Sequence, residues 1–325
     1  MDDIREKIIK ACRKAPSNDE LFHYLKKLID GLSPTKFEES LKTLKEAINE
    51  YLKDDKTGYT LQLKNQSCLD LSESFFLTPG LHIIAGPSGS GKTLWAMEWA
   101  KEAAKNNESV LVLSLEMTHR DLACRTISQI GDFSLKSLSL NQISELEKLS
   151  IENYFEDQPW SKNILIDEIG DYDYSKIQAR LWDRMIKYRP NLVIVDYAQM
   201  IYTSDPDKTN AQALSDIARD LKLFSEHNQS AVLLLSQFNR ESLKHIRRSD
   251  LDKLGFVPLS NEFVKESGGI VEAADSTQMV CIPERIPDCP ENLKNCFQVT
   301  VDKSRKIGIL GTWMIDFDTV KMKFK

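Results

Sequence analysis

The sequence predicts an α/β protein, with a mostly parallel central sheet flanked by helices and a small all-α N-terminal region ahead of it. Three observations lead there. Short apolar runs recur from about residue 59 onward, at Leu81 to Ala85, Val110 to Leu115, Ile164 to Ile166, Leu192 to Val195 and Ala231 to Leu235. Amphipathic stretches separate them, among them residues 92–105, 118–130, 175–188 and 210–227. Strands apolar on both faces that alternate with helices belong to a parallel sheet covered on both sides. The third observation is that residues 1 to about 55 carry helical periodicity throughout.

In that N-terminal region, Ser17-Asn18-Asp19-Glu20 has capping-box spacing, and Leu21, Tyr24, Leu25 and Leu28 follow at helical period. Phe37, Leu41, Leu44, Ile48 and Tyr51 step by four and three, which is a heptad seam. This helix either packs within its own small bundle or docks on a neighbouring subunit. Polar residues 53–58 read as a linker. The expected division is a helical region with a linker or docking helix over 1–56 and the α/β unit over 57–325. The last third reads as strands at Gln278 to Ile282, Phe297 to Val301 and Gly311 to Phe317.

The length of 325 residues suits about two domains. With 43 Lys and Arg against 49 Asp and Glu, the net charge of −6 excludes a general polyanion-coating protein. A short basic loop can still hold nucleic acid locally. No apolar run approaches the roughly 18–20 residues of a membrane span, and the N-terminus lacks the apolar core of a secretory signal. Membrane insertion and export are disfavoured, and a cytoplasmic protein is expected. The six cysteines include no C-x-x-C pair, which predicts reduced thiols. Cys281, Cys289 and Cys296 lack a paired knuckle and a nearby His, so a zinc site is set aside.

The strongest chemical signal is Gly86-Pro87-Ser88-Gly89-Ser90-Gly91-Lys92-Thr93, which fits G-x-x-x-x-G-K-[ST] without a mismatch. It follows an apolar run and opens a helical stretch carrying Trp95, Ala96, Trp99 and Ala100. Glycines let the backbone wrap closely, so that successive N–H groups and a helix N-terminus face phosphate oxygens. Lys92 is expected to reach the β- and γ-phosphates, and the Thr93 hydroxyl to hold Mg²⁺. The cofactors expected are therefore ATP and Mg²⁺.

An acidic group at a neighbouring strand tip should hold the metal's water shell. Two candidates exist: Asp196, closing Leu192-Val193-Ile194-Val195, and Asp167 of the Asp167-Glu168 pair. Asp196 is favoured because its run is more apolar throughout, as a central strand should be, which leaves Asp167 on a peripheral strand. Glu116 also stands at a strand end, where it is either the base that orients the attacking water or a solvated terminus. Gln237 ends a very apolar run and is either a γ-phosphate sensor or a polar strand cap. Lys303 and Arg305, two apart in a strand, share one face. They either contact the γ-phosphate of an adjacent subunit or form an exposed basic edge. A long segment from Arg240 to Gly269 carries Lys244, Arg247, Arg248, Lys253 and Lys265, with Glu241, Asp250 and Asp252 interleaved, and reads as a functional loop.

Taken together, Leu113-Ser114-Leu115-Glu116-Met117, Val195-Asp196-Tyr197-Ala198-Gln199, Ser236-Gln237-Phe238-Asn239-Arg240 and Lys265-Glu266-Ser267-Gly268, in that order after the phosphate loop, resemble the RecA-like P-loop NTPase motor domain of DnaB-type replicative helicases. The resemblance covers about residues 57–325. It implies a homo-oligomer, a hexameric ring or a split ring, that hydrolyses ATP at subunit interfaces and translocates 5′→3′ on single-stranded DNA, with a loader or primase as further partner. It assigns Lys92 and Thr93 to phosphate and Mg²⁺, Glu116 as catalytic base, Asp196 as metal-side carboxylate and Gln237 as sensor. Lys303 and Arg305 match the family's K-x-R pair acting in trans, and Lys265, Glu266 and Gly268 match its DNA-contacting turn. The chain departs from the family in its Gly-Pro-Ser-Gly-Ser-Gly loop and in Lys265 where arginine is usual. It departs also in the length between Asn239 and Glu266 and in having about 55 residues ahead of the motor. An ATPase that acts as a DNA- or partner-binding switch or loader, without unwinding, is the second expectation. A small-molecule kinase fits less well, for want of an obvious lid.

Overall fold

The computed structural model describes residues 75, 77–131, 133–203, 208–239, 246–264, 268–319 and 321–324. The helices expected over 1–55 and the division at 56/57 lie outside the described residues, as do Lys244, Lys265 and Glu266.

Each of the five apolar runs forms a strand: β1 (Gly80–Gly86), β2 (Val110–Ser114), β3 (Ile164–Glu168), β4 (Leu192–Asp196) and β5 (Ala231–Gln237). Four C-terminal strands follow: β6 (Ser276–Cys281), β7 (Cys296–Ser304), β8 (Gly311–Asp318) and β9 (Lys323–Phe324). They make one sheet in the order β3-β2-β4-β5-β1-β6-β7-β8-β9. The pairs from β3 to β6 are parallel, and those from β6 to β9 are antiparallel.

Among the described residues the helices are α1 (Lys92–Lys105), α2 (His119–Ile130), α3 (Leu135–Ser139), α4 (Glu145–Glu156), α5 (Tyr174–Tyr188), α6 (Asn210–Asn228), α7 (Arg248–Leu254) and α8 (Gly268–Ala273). Successive strand residues point to opposite faces, and the two cores divide accordingly. Leu81, Ile83, Leu111, Leu113, Val193, Val195, Val232 and Leu234 pack with α5 and α6 on one face. Ile84, Val110, Val112, Leu192, Ile194, Leu233 and Leu235 pack with α1 on the other. On that second face the buried Gln278 amide oxygen accepts from both indole N–H groups of Trp95 and Trp99, at 2.7 and 3.1 Å. An unpaired amide there would cost about 1–3 kcal/mol, so the two indoles stabilise β6 against α1.

The segment expected as a long loop after Arg240 is in part built into the fold. Leu251, Val257, Leu259 and Val264 are buried. The Gln298 amide pins Val257, accepting from its N–H and donating to its carbonyl, each at 2.7 Å. Apolar burial and a satisfied side-chain amide thus replace the freedom that its mixed charges suggested. The salt bridge of Arg248 with Asp252, at 3.7 Å, further dilutes a basic patch. No described helix is long and apolar enough to cross a membrane. Cys124, Cys281, Cys289 and Cys296 are free thiols, and burial pushes the last three up.

Candidate nucleotide site

β1 is buried along its whole length and delivers the chain into the glycine-rich loop. A Cβ on Gly86 would lie 2.4 Å from the Val280 carbonyl and 2.5 Å from Ser90 Oγ, so only glycine fits. Gly89 and Gly91 adopt φ of 73° and 88°, the left-handed region that glycine enters without penalty. Gly91 caps α1 and offers no side chain, so the first-turn N–H groups are left for an anion. The Ser90 hydroxyl is buried and without a partner among the described residues. Lys92 folds over the loop and donates to the Gly86 and Pro87 carbonyls at 3.1 and 2.9 Å. Uncapped amides, an orphaned hydroxyl and an ammonium resting on backbone carbonyls fit a chain of phosphates.

β4 brings the second half of the site. Parallel pairing puts Asp196 opposite Ser114 of β2 and Gln237 opposite Gly86 of β1, so the tips of four adjacent strands converge. Ligands of open α/β sheets bind at this carboxyl end. The Thr93 hydroxyl donates to Asp196 Oδ2 at 2.7 Å. Burial pushes the Asp196 carboxyl up to about 6. Its bond from Thr93 and the charges of Lys92 and Arg125 pull the other way, whereas Glu116 adds to the rise. Burial likewise brings Lys92 down to about 8 against the pull of Asp196 and Glu116. A hydroxyl beside a buried carboxylate that resists its own charge is an oxygen pair suited to a hard divalent cation.

Glu116 is exposed in the turn after β2, near enough for its charge to act on both Lys92 and Asp196. Gln237 is half-buried, and its backbone N–H donates to Gln199 Oε1 at 3.0 Å. Gln199 also donates to Ser236 Oγ at 2.8 Å and so fixes the end of β5. Asp167 lies elsewhere. It is the penultimate residue of the edge strand β3 and is bound by Arg180 and Arg184 of α5. Burial pushes its carboxyl up, but the hydrogen bonds and charges of the two arginines outweigh this and hold it below the ordinary range. The sequence assigns no role to Gln199, which stands in the string after Asp196, or to Arg125. The available signals were an amide three residues past Asp196 and a cation on the helix that opens beside Glu116.

Lys303 and Arg305 do share a face, since both donate to the Glu272 carbonyl, at 3.1 and 2.8 Å. Lys303 also donates to the Val271 carbonyl, and the two cations thereby cap the last turn of α8. Burial and then the Arg305 charge lower Lys303 from its ordinary value. β7 runs antiparallel to β6, with Ser304 opposite Ser276 and Gln298 opposite Cys281, while β6 runs parallel to β1. Lys303 is thus level with Ile83 in the middle of β1, and the Arg305 N–H donates to the Asp275 carbonyl just before β6, so the pair lies toward the end of the sheet away from the phosphate loop, Arg305 by roughly 16 Å along the strands. Gly268 opens α8 and is exposed, whereas Lys265 and Glu266 are not among the described residues.

The DnaB-like helicase C-terminal domain family matches residues 68–325. Among curated proteins, the replicative DNA helicase DnaB of Geobacillus stearothermophilus is 29% identical over 271 residues, covering 79% of this chain and 54% of that protein. The replicative DNA helicase DnaC of Bacillus subtilis is 29% identical over 262 residues, with the same coverage of each. The chain thus spans about half the length of the curated relatives it matches. Two solved structures share the fold. A DnaB-like replicative helicase, studied for its interactions with primase, has TM-score 0.72 at 21% identity, covering 99% of this chain and 74% of that one. A second structure, of an ATPase domain, has TM-score 0.71 at 22% identity, covering 87% and 98%. With its RecA-like sheet and its phosphate loop at the strand tips, the chain belongs to the DnaB-like helicase C-terminal domain family.

Proposed function

We propose that this chain is an ATP-hydrolysing motor that assembles as a homo-oligomer, a hexamer, translocates on single-stranded DNA and unwinds duplex. The observation that carries the reading is the position of Lys303 and Arg305. They share a face, they lie toward the end of the sheet away from their own phosphate loop, and they have the residue types that stabilise a transferring phosphoryl group. Such a pair serves the loop of another copy.

Within one such interface, the loop amides and Lys92 bind the phosphates, with Lys92 exchanging the Gly86 and Pro87 carbonyls for phosphate oxygens. ATP supplies the phosphoryl group, and Mg²⁺ would supply charge neutralisation from a position held by Thr93 and, through water, Asp196. Glu116 orients the attacking water and takes its proton. Gln237, fixed by Gln199, reports the γ-phosphate to β5. Arg305 of the neighbouring copy leaves the Glu272 carbonyl and meets the charge that develops on transfer, with Lys303 beside it. Lys265, Glu266 and Gly268 contact the DNA backbone. Single-stranded DNA, further copies of this chain, and a loader or primase are the partners of this reading, in the cytoplasm.

The test is ATP hydrolysis with and without oligo-dT, run beside displacement of a strand from a 5′-tailed fork. A motor shows hydrolysis strongly stimulated by oligo-dT together with displacement. Slow hydrolysis with DNA-dependent assembly and no displacement would favour the switch or loader instead.

A further inference from the structure

The geometry points to His119 and Glu168 as a positioning clip for Glu116, an inference that rests on the role proposed for Glu116 above. Glu168 belongs to the acidic pair at the end of β3 that the nucleotide site does not use. Its Oε2 accepts from the His119 backbone N–H at 3.1 Å and from His119 Nδ1 at 2.8 Å. The other ring nitrogen, Nε2, lies 3.2 Å from the Ile166 carbonyl. A carboxylate offers no hydrogen, so Nδ1 donates to Glu168 while Nε2 faces the Ile166 carbonyl. His119, the first residue of α2, is thus tied twice to Glu168 at the end of β3, once through its backbone and once through its ring.

Glu116 lies in the turn between β2 and that residue. Its upstream side is fixed by the Leu115 N–H donating to the Asp196 carbonyl at 2.8 Å and by the Ile169 N–H donating to the Ser114 carbonyl at 2.9 Å. The Ser114 hydroxyl spans the turn, donating to the Met117 carbonyl at 2.6 Å and accepting from its N–H at 3.3 Å. The downstream side is fixed by the clip. β3 is itself anchored, because Arg180 and Arg184 hold Asp167, next to Glu168. The Asp167-Glu168 pair is therefore one device. Its first carboxylate fastens the strand to α5, and its second fastens α2, and with it the turn of Glu116, to the strand.

The His119 and Glu168 side chains are 58% and 42% exposed. At that exposure a polar side-chain contact contributes little to stability. Orientation is another matter, since a displacement of about 1 Å at a reacting group can cost as much as 10²-fold in rate. The clip is therefore read in turnover and not in melting temperature.

The experiment compares His119→Ala, Glu168→Gln and the double variant of the full chain, each also in a Glu116→Gln background. Steady-state kcat and KM for ATP, single-turnover hydrolysis and the melting temperature are measured for each; His119→Gln is the second variant if His119→Ala folds poorly. Each single change is expected to lower kcat roughly tenfold with KM and melting temperature unmoved. The double variant should be no worse than the worse single. In the Glu116→Gln background none of the changes should lower the residual hydrolysis further. Unchanged kcat, a main effect on KM, or a full additional loss in that background overturns the clip. If Glu116→Gln itself hydrolyses ATP normally, the reading of Glu116 falls first and takes the clip with it.

Discussion

Thr93 donates its hydroxyl to the Asp196 carboxylate over 2.7 Å, joining the first turn of α1 to the last residue of β4. The bond satisfies only part of what a carboxylate 2% exposed requires, and burial still drives it up to about 6. An Asp kept in such a place has a task other than stability, and the task and the cost can be separated by experiment.

Asp196→Asn is expected to stabilise the nucleotide-free protein while disabling it. The folded-state value is raised from 3.8, so the stability that protonated Asp196 brings is full below about 3.8 and is lost as the pH rises through about 6. The whole effect is on the order of 2–3 kcal/mol. Denaturant melts of parent and variant should therefore nearly meet at about pH 4, diverge between about 4 and 6, and keep a constant difference above. Taking the difference matters because His82, lowered by burial to about 4, destabilises the fold on acidification with the opposite sign in both proteins. Hydrolysis by the variant should fall at least 10²-fold.

Asp167→Asn should show the reverse. It removes the carboxylate shared by Arg180 and Arg184, costing about 1–3 kcal/mol in the melt, and lowers hydrolysis no more than the clip variants do, far less than Asp196→Asn. Loss of hydrolysis in Asp167→Asn together with its survival in Asp196→Asn would exchange the two carboxylates.

The pH profile of kcat/KM for ATP reports groups of the free enzyme. Asp196 must be ionised and Lys92 charged, which places an acid limb near 6 and an alkaline limb near 8. A dication favours the ionised carboxylate, so the acid limb of kcat should lie lower than that of kcat/KM. Steady-state rates from pH 5 to 9.5 check this, and coincident acid limbs would speak against Asp196 as the metal-side group.

Arg305→Ala is expected to lower kcat about 10³-fold, with nucleotide affinity changed less than threefold. A fluorescent nucleotide titrated into the parent and the variant measures the second quantity. An equal fall in binding and in turnover would place Arg305 at the loop of its own chain, against the antiparallel register of β7.

The strands were legible because each of β1, β2, β4 and β5 is a continuous apolar run, which is what burial on both faces demands. The same signal separated Asp196 from Asp167, since β3 is less buried and indeed lies at the sheet edge. By contrast, α4 buries no residue at all, so no apolar stripe announced it. Gln199 reaches the end of β5 and Arg125 bears on Asp196 only through the folded arrangement of strands, which their local pattern does not contain. The far placement of Lys303 and Arg305 depends on β7 reversing direction against β6, a topological fact that spacing along the chain does not contain.

The most direct measurement follows specific ATPase activity against protein concentration, with mass by light scattering in the same magnesium-containing buffer, with and without oligo-dT. If the cations of one copy complete the phosphate loop of another, activity per chain rises with concentration in step with assembly and vanishes on dilution to the protomer. Brisk hydrolysis by a species of one-chain mass, at a rate per chain independent of concentration, would contradict it.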